Sequence, residues 1–174
     1  QREVSVRRLL DGSELASARL PQADRPLDPS LWDDRLLVRS APNEISCLDV
    51  PRSGRQLVAR WKYDAGAPVL ATLMFEDEIY LRLPGEIRRL RYKSREPVWT
   101  VKGQFRGRLS LRGAALYAVE YHDSNARLVL LARADGQRLA AGDLGMHAGG
   151  APAETAAVRI AVFGEQVQVR HALP

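Results

Sequence analysis

The sequence predicts an all-β fold: a β-propeller, or a segment of one, built from about four four-stranded antiparallel blades. Three observations predict it. Short runs of branched and aromatic residues recur between turn-formers, "LLVRS" at 36–40, "IYLRL" at 79–83, "LYAVE" at 116–120 and "IAVF" at 160–163, and this is strand composition. No stretch of eleven or more residues between turn signals carries a helical period. The layout also repeats about every 41 residues, a period that marks arrays of supersecondary units.

The elements follow in order. Residues 1–20 hold "EVSVRRLL" and "SELASARL", the outer strands of a blade around a turn at Gly12. Residues 27–64 form a blade in which "LLVRS" turns through "APNE" into "ISCLDV", then through Gly54 into a strand ending at Trp61. Residues 66–102 repeat this with "IYLRL", "PGE", "IRRLRY" and a strand ending in "VWT", but turn on "KSREP" where the other copies have glycine. Residues 104–145 repeat it again, with Gly136 in the last turn, and 150–174 supply a partial blade that reads as strands one to three. The leading runs begin at Leu36, Ile79, Leu116 and Ile160, steps of 43, 37 and 44 residues, and "GAP" recurs at 66–68 and 150–152.

Such a period suffices for four short strands and their turns. A lone four-stranded sheet cannot cover its own two faces, whereas copies stacked around an axis bury them against each other. Strands that are continuously apolar suit burial on both faces. An evenly spaced sandwich is the alternative, and the matched turn-and-strand layout in four copies favours the propeller. The ends depart from a simple closed ring. "EVSVRRLL" duplicates a strand already read in 150–174, which points to part of a larger propeller that completes its ring with another chain.

"ISCLDVPRSGRQLVARW" resembles the repeat of the quinoprotein-type (PQQ-like) β-propellers: a strand, an apolar-Asp pair, a turn with glycine, then a strand ending in tryptophan. "LLDGSELASARL" and "LLARADGQRLAAGD" keep the frame without the tryptophan, and "RYKSREPVWT" keeps the tryptophan without the glycine. The resemblance implies that Trp61 and Trp99 dock between neighbouring blades; Trp32 does not match that position. It places the chain in the non-catalytic branch. The dehydrogenases of the family imply an adjacent-cysteine disulfide, a calcium site and a catalytic aspartate, and this chain has a single cysteine, Cys47, and no acidic cluster with calcium-loop spacing. No cofactor and no enzymatic activity are expected. The resemblance implies instead a scaffold for protein–protein interaction in a bacterial envelope or sensory assembly, in the periplasm or otherwise outside the cytoplasm. A binding or sensor module for a small anionic ligand or glycan ranks second, and a quinone-type oxidoreductase third.

Composition agrees with a folded domain: 45% hydrophobic and 27% charged residues in a chain of 174. No run approaches the roughly 18 apolar residues of a membrane span, and "QREVSVRRLL" lacks the continuous apolar core of a signal peptide. Cys47 reads as a packed thiol. The net charge of +5 comes largely from arginine, the only lysines being Lys62, Lys93 and Lys102, and it favours acidic partners.

Candidate chemistry is sparse. His122, His147 and His171 lie outside close-pair ligand spacing. "DD" at 33–34 and "FEDE" at 75–78 sit at equivalent turns, where acidic residues serve local hydrogen bonding. No phosphate loop, GxSxG elbow or HExxH is present. The one suggestive surface is basic: Arg82, Arg88, Arg89, Arg91 and Lys93, with Tyr80 and Tyr92 nearby. Arginine pairs with carboxylates and phosphates in bidentate fashion, so these five residues are the candidate binding site, for an acidic protein before an anionic glycan or headgroup. Nucleic acid is not expected. The competing role is a charged strand face that discourages edge pairing.

Overall fold

The computed structural model describes residues 2–7, 10, 12–20, 29–51, 56–122, 125–147, 157–163 and 166–172. Every regular element in them is a strand, and no helix is long and apolar enough to cross a membrane. Three four-stranded antiparallel sheets make the centre of the array. The first blade is β3 (Ser30–Trp32), β4 (Arg35–Ala41), β5 (Glu44–Asp49) and β6 (Val58–Asp64). The second is β7 (Ala71–Phe75), β8 (Glu78–Leu83), β9 (Glu86–Arg91) and β10 (Pro97–Lys102). The third is β11 (Phe105–Arg112), β12 (Ala115–His122), β13 (Asn125–Ala132) and β14 (Arg138–His147). A two-stranded ribbon flanks each end, β1 (Arg2–Arg7) with β2 (Glu14–Leu20), and β15 (Ala157–Phe163) with β16 (Gln166–Ala172). Among the described residues of 150–174, where the sequence suggested three strands, two are seen, β15 and β16. Gly54, with the rest of 52–55, lies outside the described residues, as does the second "GAP" at 150–152.

Strand periodicity explains the cores. Alternate residues of one strand face opposite neighbours, so each central strand feeds two seams. In the first blade Leu36, Val38 and Leu48 pack with Ala16, Leu57, Val4 and Val6 of the ribbon side. Leu37, Ile45 and Cys47 point the other way, against Met74, Ile79, Leu81, Leu83, Leu90 and Tyr92 of the second blade. Tyr80, Ile87 and Trp99 then meet Phe105, Leu109, Leu116, Ala118, Val129 and Leu131 of the third. This is why the central strands read as continuous apolar runs. The inner strands follow each other in space, β3 beside β7, β7 beside β11 and β11 beside β15.

The turns repeat in detail. Two-residue loops join the first and second strands at Asp33-Asp34, Glu76-Asp77 and Gly113-Ala114. Their first residues are left-handed, with φ of 53°, 54° and 54°. The second residue of each accepts a backbone hydrogen bond from the turn between the third and fourth strands: Val50 N to Asp34 O at 2.7 Å, Tyr92 N to Asp77 O at 2.9 Å, and Arg133 N to Ala114 O at 2.8 Å. Both turn types therefore share one rim. "KSREP" dispenses with glycine because Arg95 itself takes the left-handed conformation, φ 60°, at the place Gly136 fills with φ 77°; each donates its N–H four residues back, to Arg91 and Ala132.

The two positions differ in what surrounds them. A Cβ on Gly136 would lie 2.9 Å from Trp99 Cδ2 and from Val101 Cγ2. Gly136→Ala combines that overlap with left-handed strain and should destabilise the fold by about 2 kcal/mol. Chemical denaturation followed by circular dichroism measures it, and an unchanged midpoint would show that Trp99 can withdraw.

Candidate functional site

Charged side chains converge on the turn-bearing rim at the seam between the second and third blades. Glu78 opens β8, where the two-residue loop leaves its carboxylate beside the next blade. Arg89 pairs with it from β9, and Arg133 reaches it from the third blade at 2.6 Å while also gripping Glu76 at 2.5 Å. Tyr80 donates its hydroxyl to Glu78. Arg89 also donates to the carbonyls of Arg133 and Ala134, at 2.9 and 3.0 Å, and the Arg133 guanidinium lies 4.8 Å from the Phe75 ring centre. Glu78, Arg89 and Arg133, with Gly113, Ala114 and Ala134, line a shallow pocket of about 440 Å³.

The electrostatics fix the protonation states. Burial pulls the Glu78 carboxyl upward, but the hydrogen bonds from Arg133 and Tyr80 and the charges of Arg89 and Arg133 outweigh it and hold the group below the usual carboxylate range. Burial, then the neighbouring carboxylate, pushes the Tyr80 phenol well above its ordinary value. Glu78 is thus an anion and Tyr80 a neutral donor at neutral pH. Neither is poised to exchange a proton there, and the cluster works as an ionic clasp between blades.

The seam between the first and second blades carries a clasp of reversed polarity. Arg35, at the repeat position of Glu78, pairs with Asp77 at 3.0 Å, and its guanidinium lies 4.4 Å from the centre of the Tyr92 ring. Tyr92 occupies the position of Arg133. Arg60 donates to the Tyr92 hydroxyl at 3.2 Å and pairs with Asp49 at 2.8 Å. The cation comes from the earlier blade in one seam and from the later blade in the other.

The five basic residues singled out from sequence do not form one surface. Arg82 is enclosed and donates to the carbonyls of Phe105 and Leu70 at 3.0 and 3.2 Å; burial, then the charge of Arg106, lowers its pKa to about 10. Arg88 turns toward the first blade, to the Tyr63 hydroxyl at 3.2 Å, the Ala65 carbonyl at 3.1 Å and Glu86 at 2.6 Å. Arg89 turns the opposite way, into the clasp. Alternation along β9 separates these two. Arg91 and Lys93 are exposed.

The tryptophans hold the seams. Trp99 is buried on β10, donates its indole N–H to the Arg133 carbonyl at 3.1 Å and packs against Tyr80. Trp61 meets Tyr92 edge-on, ring centres 5.5 Å apart. Trp32, which the repeat frame left out, also spans blades, its ring 4.2 Å from that of Phe75. Cys47 is buried, 3.5 Å from the Tyr92 hydroxyl, and burial pushes its thiol upward. His122 ends β12 and His147 ends β14, with β13 between them in the third blade, and His171 lies in β16. Among the described residues, no three or more His, Cys, Asp and Glu side chains are grouped to hold a metal ion.

Sequence reasoning missed the clasps because their members are distant along the chain. One available signal was the swap of arginine for glutamate at the same repeat position, Arg35 against Glu78.

No protein-family model and no curated protein sequence matches the chain. Solved structures do. BamB from Moraxella catarrhalis superposes with a TM-score of 0.70 at 16% identity, over 97% of this chain and 53% of that one. The fold is that of a β-propeller. The propeller described here spans about half the length of BamB. The computationally designed Ika4 protein matches with a TM-score of 0.63 at 13% identity, over 92% of this chain and 98% of that one. Quinohemoprotein alcohol dehydrogenase from Comamonas testosteroni matches with a TM-score of 0.53 at 13% identity, over 68% of this propeller and 21% of that chain. At these identities the likeness is one of fold.

Proposed function

We propose that the protein is a non-enzymatic scaffold of the PQQ-like propeller kind, working outside the cytoplasm in an envelope-type assembly as an arc of blades that binds other proteins through its rim. The observation that carries this reading is the use made of the converging charges. Glu78, Arg89, Arg133, Arg35 and Asp77 hold blades together and leave a rigid frame, on which loops supply specificity. Arg91 and Lys93, exposed at the outer turn of the second blade, give the partner its expected character, an acidic surface. The likeness to BamB supports the architecture.

Co-purification from an envelope fraction tests the reading. Wild-type protein should retain a discrete protein partner that Arg91→Glu/Lys93→Glu loses, with binding that weakens as salt rises. Substrate turnover by the purified chain, or equal capture by both proteins, would sink it.

One observation favours a second reading. The wall made by the inner strand β11 carries Arg106, Arg108 and Arg112 and no carboxylate. A small anion such as inorganic phosphate or a uronic acid suits that wall. Heat of binding in titration calorimetry, lost in Arg112→Gln, would support it.

A further inference from the structure

The pocket at the seam between the second and third blades is bounded on one side by short side chains. The loop Gly113-Ala114 stands where the second blade carries Glu76-Asp77, and Ala134 stands where it carries Lys93. At the preceding seam Asp77 reaches back across the blades and pairs with Arg35 at 3.0 Å. Ala114, at the same repeat position, is too short to reach, and a Cβ on Gly113 would meet nothing within 4 Å. The opening of about 440 Å³ lies at the place that the preceding seam fills with its own carboxylate.

The wall of this opening has donors to spare. Arg133 spends Nε on Glu78 and Nη2 on Glu76, and its Nη1 has no acceptor among the described residues. Arg89 gives Nη1 to two carbonyls and Nη2 to Glu78, and its Nε is buried without a partner. Arg91 stands directly opposite Glu78 in the β8–β9 register, and residues so paired share a sheet face. It therefore joins Glu78 and Arg89 on the face turned to the third blade, exposed and without an ion pair among the described residues. Three guanidiniums meet two carboxylates here, and both carboxylates are already held, Glu78 by Arg89, Arg133 and Tyr80 and Glu76 by Arg133. Asp135, next to Ala134, turns its Oδ1 to its own turn, where it accepts from Gln137 N at 2.9 Å.

Charge complementarity selects the occupant. A cationic side chain would face the guanidiniums, and an apolar one would leave Arg133 Nη1 without an acceptor. An anionic tip on a short apolar stem satisfies both the donors and the methyl groups of Ala114 and Ala134. We propose that this pocket seats a glutamate side chain of the partner protein, its carboxylate on Arg133 Nη1 and Arg91 and its methylenes on Ala114 and Ala134. The external carboxylate takes the part that Asp77 plays within the preceding seam. The inference rests on the acidic-partner part of the proposed function and names the contact that reads the partner.

The capped peptides Gly-Glu-Gly and Gly-Gln-Gly are the probes, titrated into the isotope-labelled chain and followed by amide NMR. The glutamate peptide should shift the amides of Gly113, Ala114 and Ala134 with a Kd of about 1–10 mM. The glutamine peptide should bind about tenfold more weakly, since a charge-assisted hydrogen bond is replaced by a neutral one. Ala114→Leu, which fills the opening without altering charge, should abolish the shifts with an unchanged circular dichroism spectrum. Arg91→Gln, at an exposed side chain, should weaken binding by about threefold. Equal shifts from the glutamine peptide or from inorganic phosphate, shifts centred away from this seam, or undiminished binding by Ala114→Leu would overturn the proposal. Those results would leave the scaffold reading standing, because retention of the envelope partner by the wild-type protein is measured separately.

Discussion

Trp99→Ala should lower the stability of the fold by about 4 kcal/mol, since truncating a buried aromatic removes its transfer energy and leaves a cavity. For a chain of this size that is roughly 12 °C in Tm. The cavity is the dominant effect. Trp99 is 8% exposed and fills the seam between Tyr80 and the turn at Gly136. The lost indole hydrogen bond matters less, because Arg89 also donates to the Arg133 carbonyl that Trp99 serves. Trp99→Phe, which keeps most of the ring and loses the N–H, should therefore cost only about 1.5 kcal/mol. Trp61→Ala should fall between the two, because Trp61 is only partly buried. Urea unfolding followed by circular dichroism ranks the three. The seam position adds a second signature: with nearest-neighbour coupling weakened, the third blade should melt ahead of the first two. A Trp99→Ala protein within 1 kcal/mol of wild type would mean that backbone pairing, not the wedge, sets blade docking.

The fold was legible in the sequence because its determinants are local and repeated. Strand composition, the two-residue loops and the left-handed turn residue recur at nearly fixed intervals, so Gly12 and Gly136 fall at matching places, and "KSREP" is the same turn without its glycine. The seams were legible in outline through Trp61 and Trp99. Trp32 was not, because it sits on an inner strand of three residues outside the tryptophan frame and meets Phe75, 43 positions on. The basic residues misled for a physical reason. Arginine on a strand between blades can bury its stem and donate to carbonyls, as Arg82 does to Phe105 and Leu70, so density of charge in sequence did not translate into charge at the surface. Only Arg91 and Lys93 of the five remain exposed.

Glu78→Gln should destabilise the protein by about 3 kcal/mol at neutral pH, the magnitude typical of breaking a largely buried pair and leaving its cation uncompensated. Glu78 is 14% exposed, and its partners Arg89 and Arg133 are 16% and 22% exposed. The amide keeps the shape and one acceptor, so the loss reports charge and not volume. Its pH dependence fixes the sign. The folded carboxyl is held below its unfolded value, so the ionised form contributes stability that is fully present above the unfolded pKa of about 4.3 and is lost as pH falls through the lower, folded one. Wild type and Glu78→Gln should therefore differ most above about pH 5 and converge on further acidification. Glu44 and Glu86, whose carboxyls are also depressed by hydrogen bonds from Ser40 and Lys102 respectively, remain in the variant and keep part of the acid limb. A cycle with Arg133→Met separates pair from context. Arg89 retains the carbonyls of Arg133 and Ala134, so Glu78→Met/Arg133→Met should be more stable than the sum of its single substitutions by about 1–2 kcal/mol. Strict additivity, or a Glu78→Gln deficit that persists unchanged into acid, would show that the second and third blades are held by packing alone.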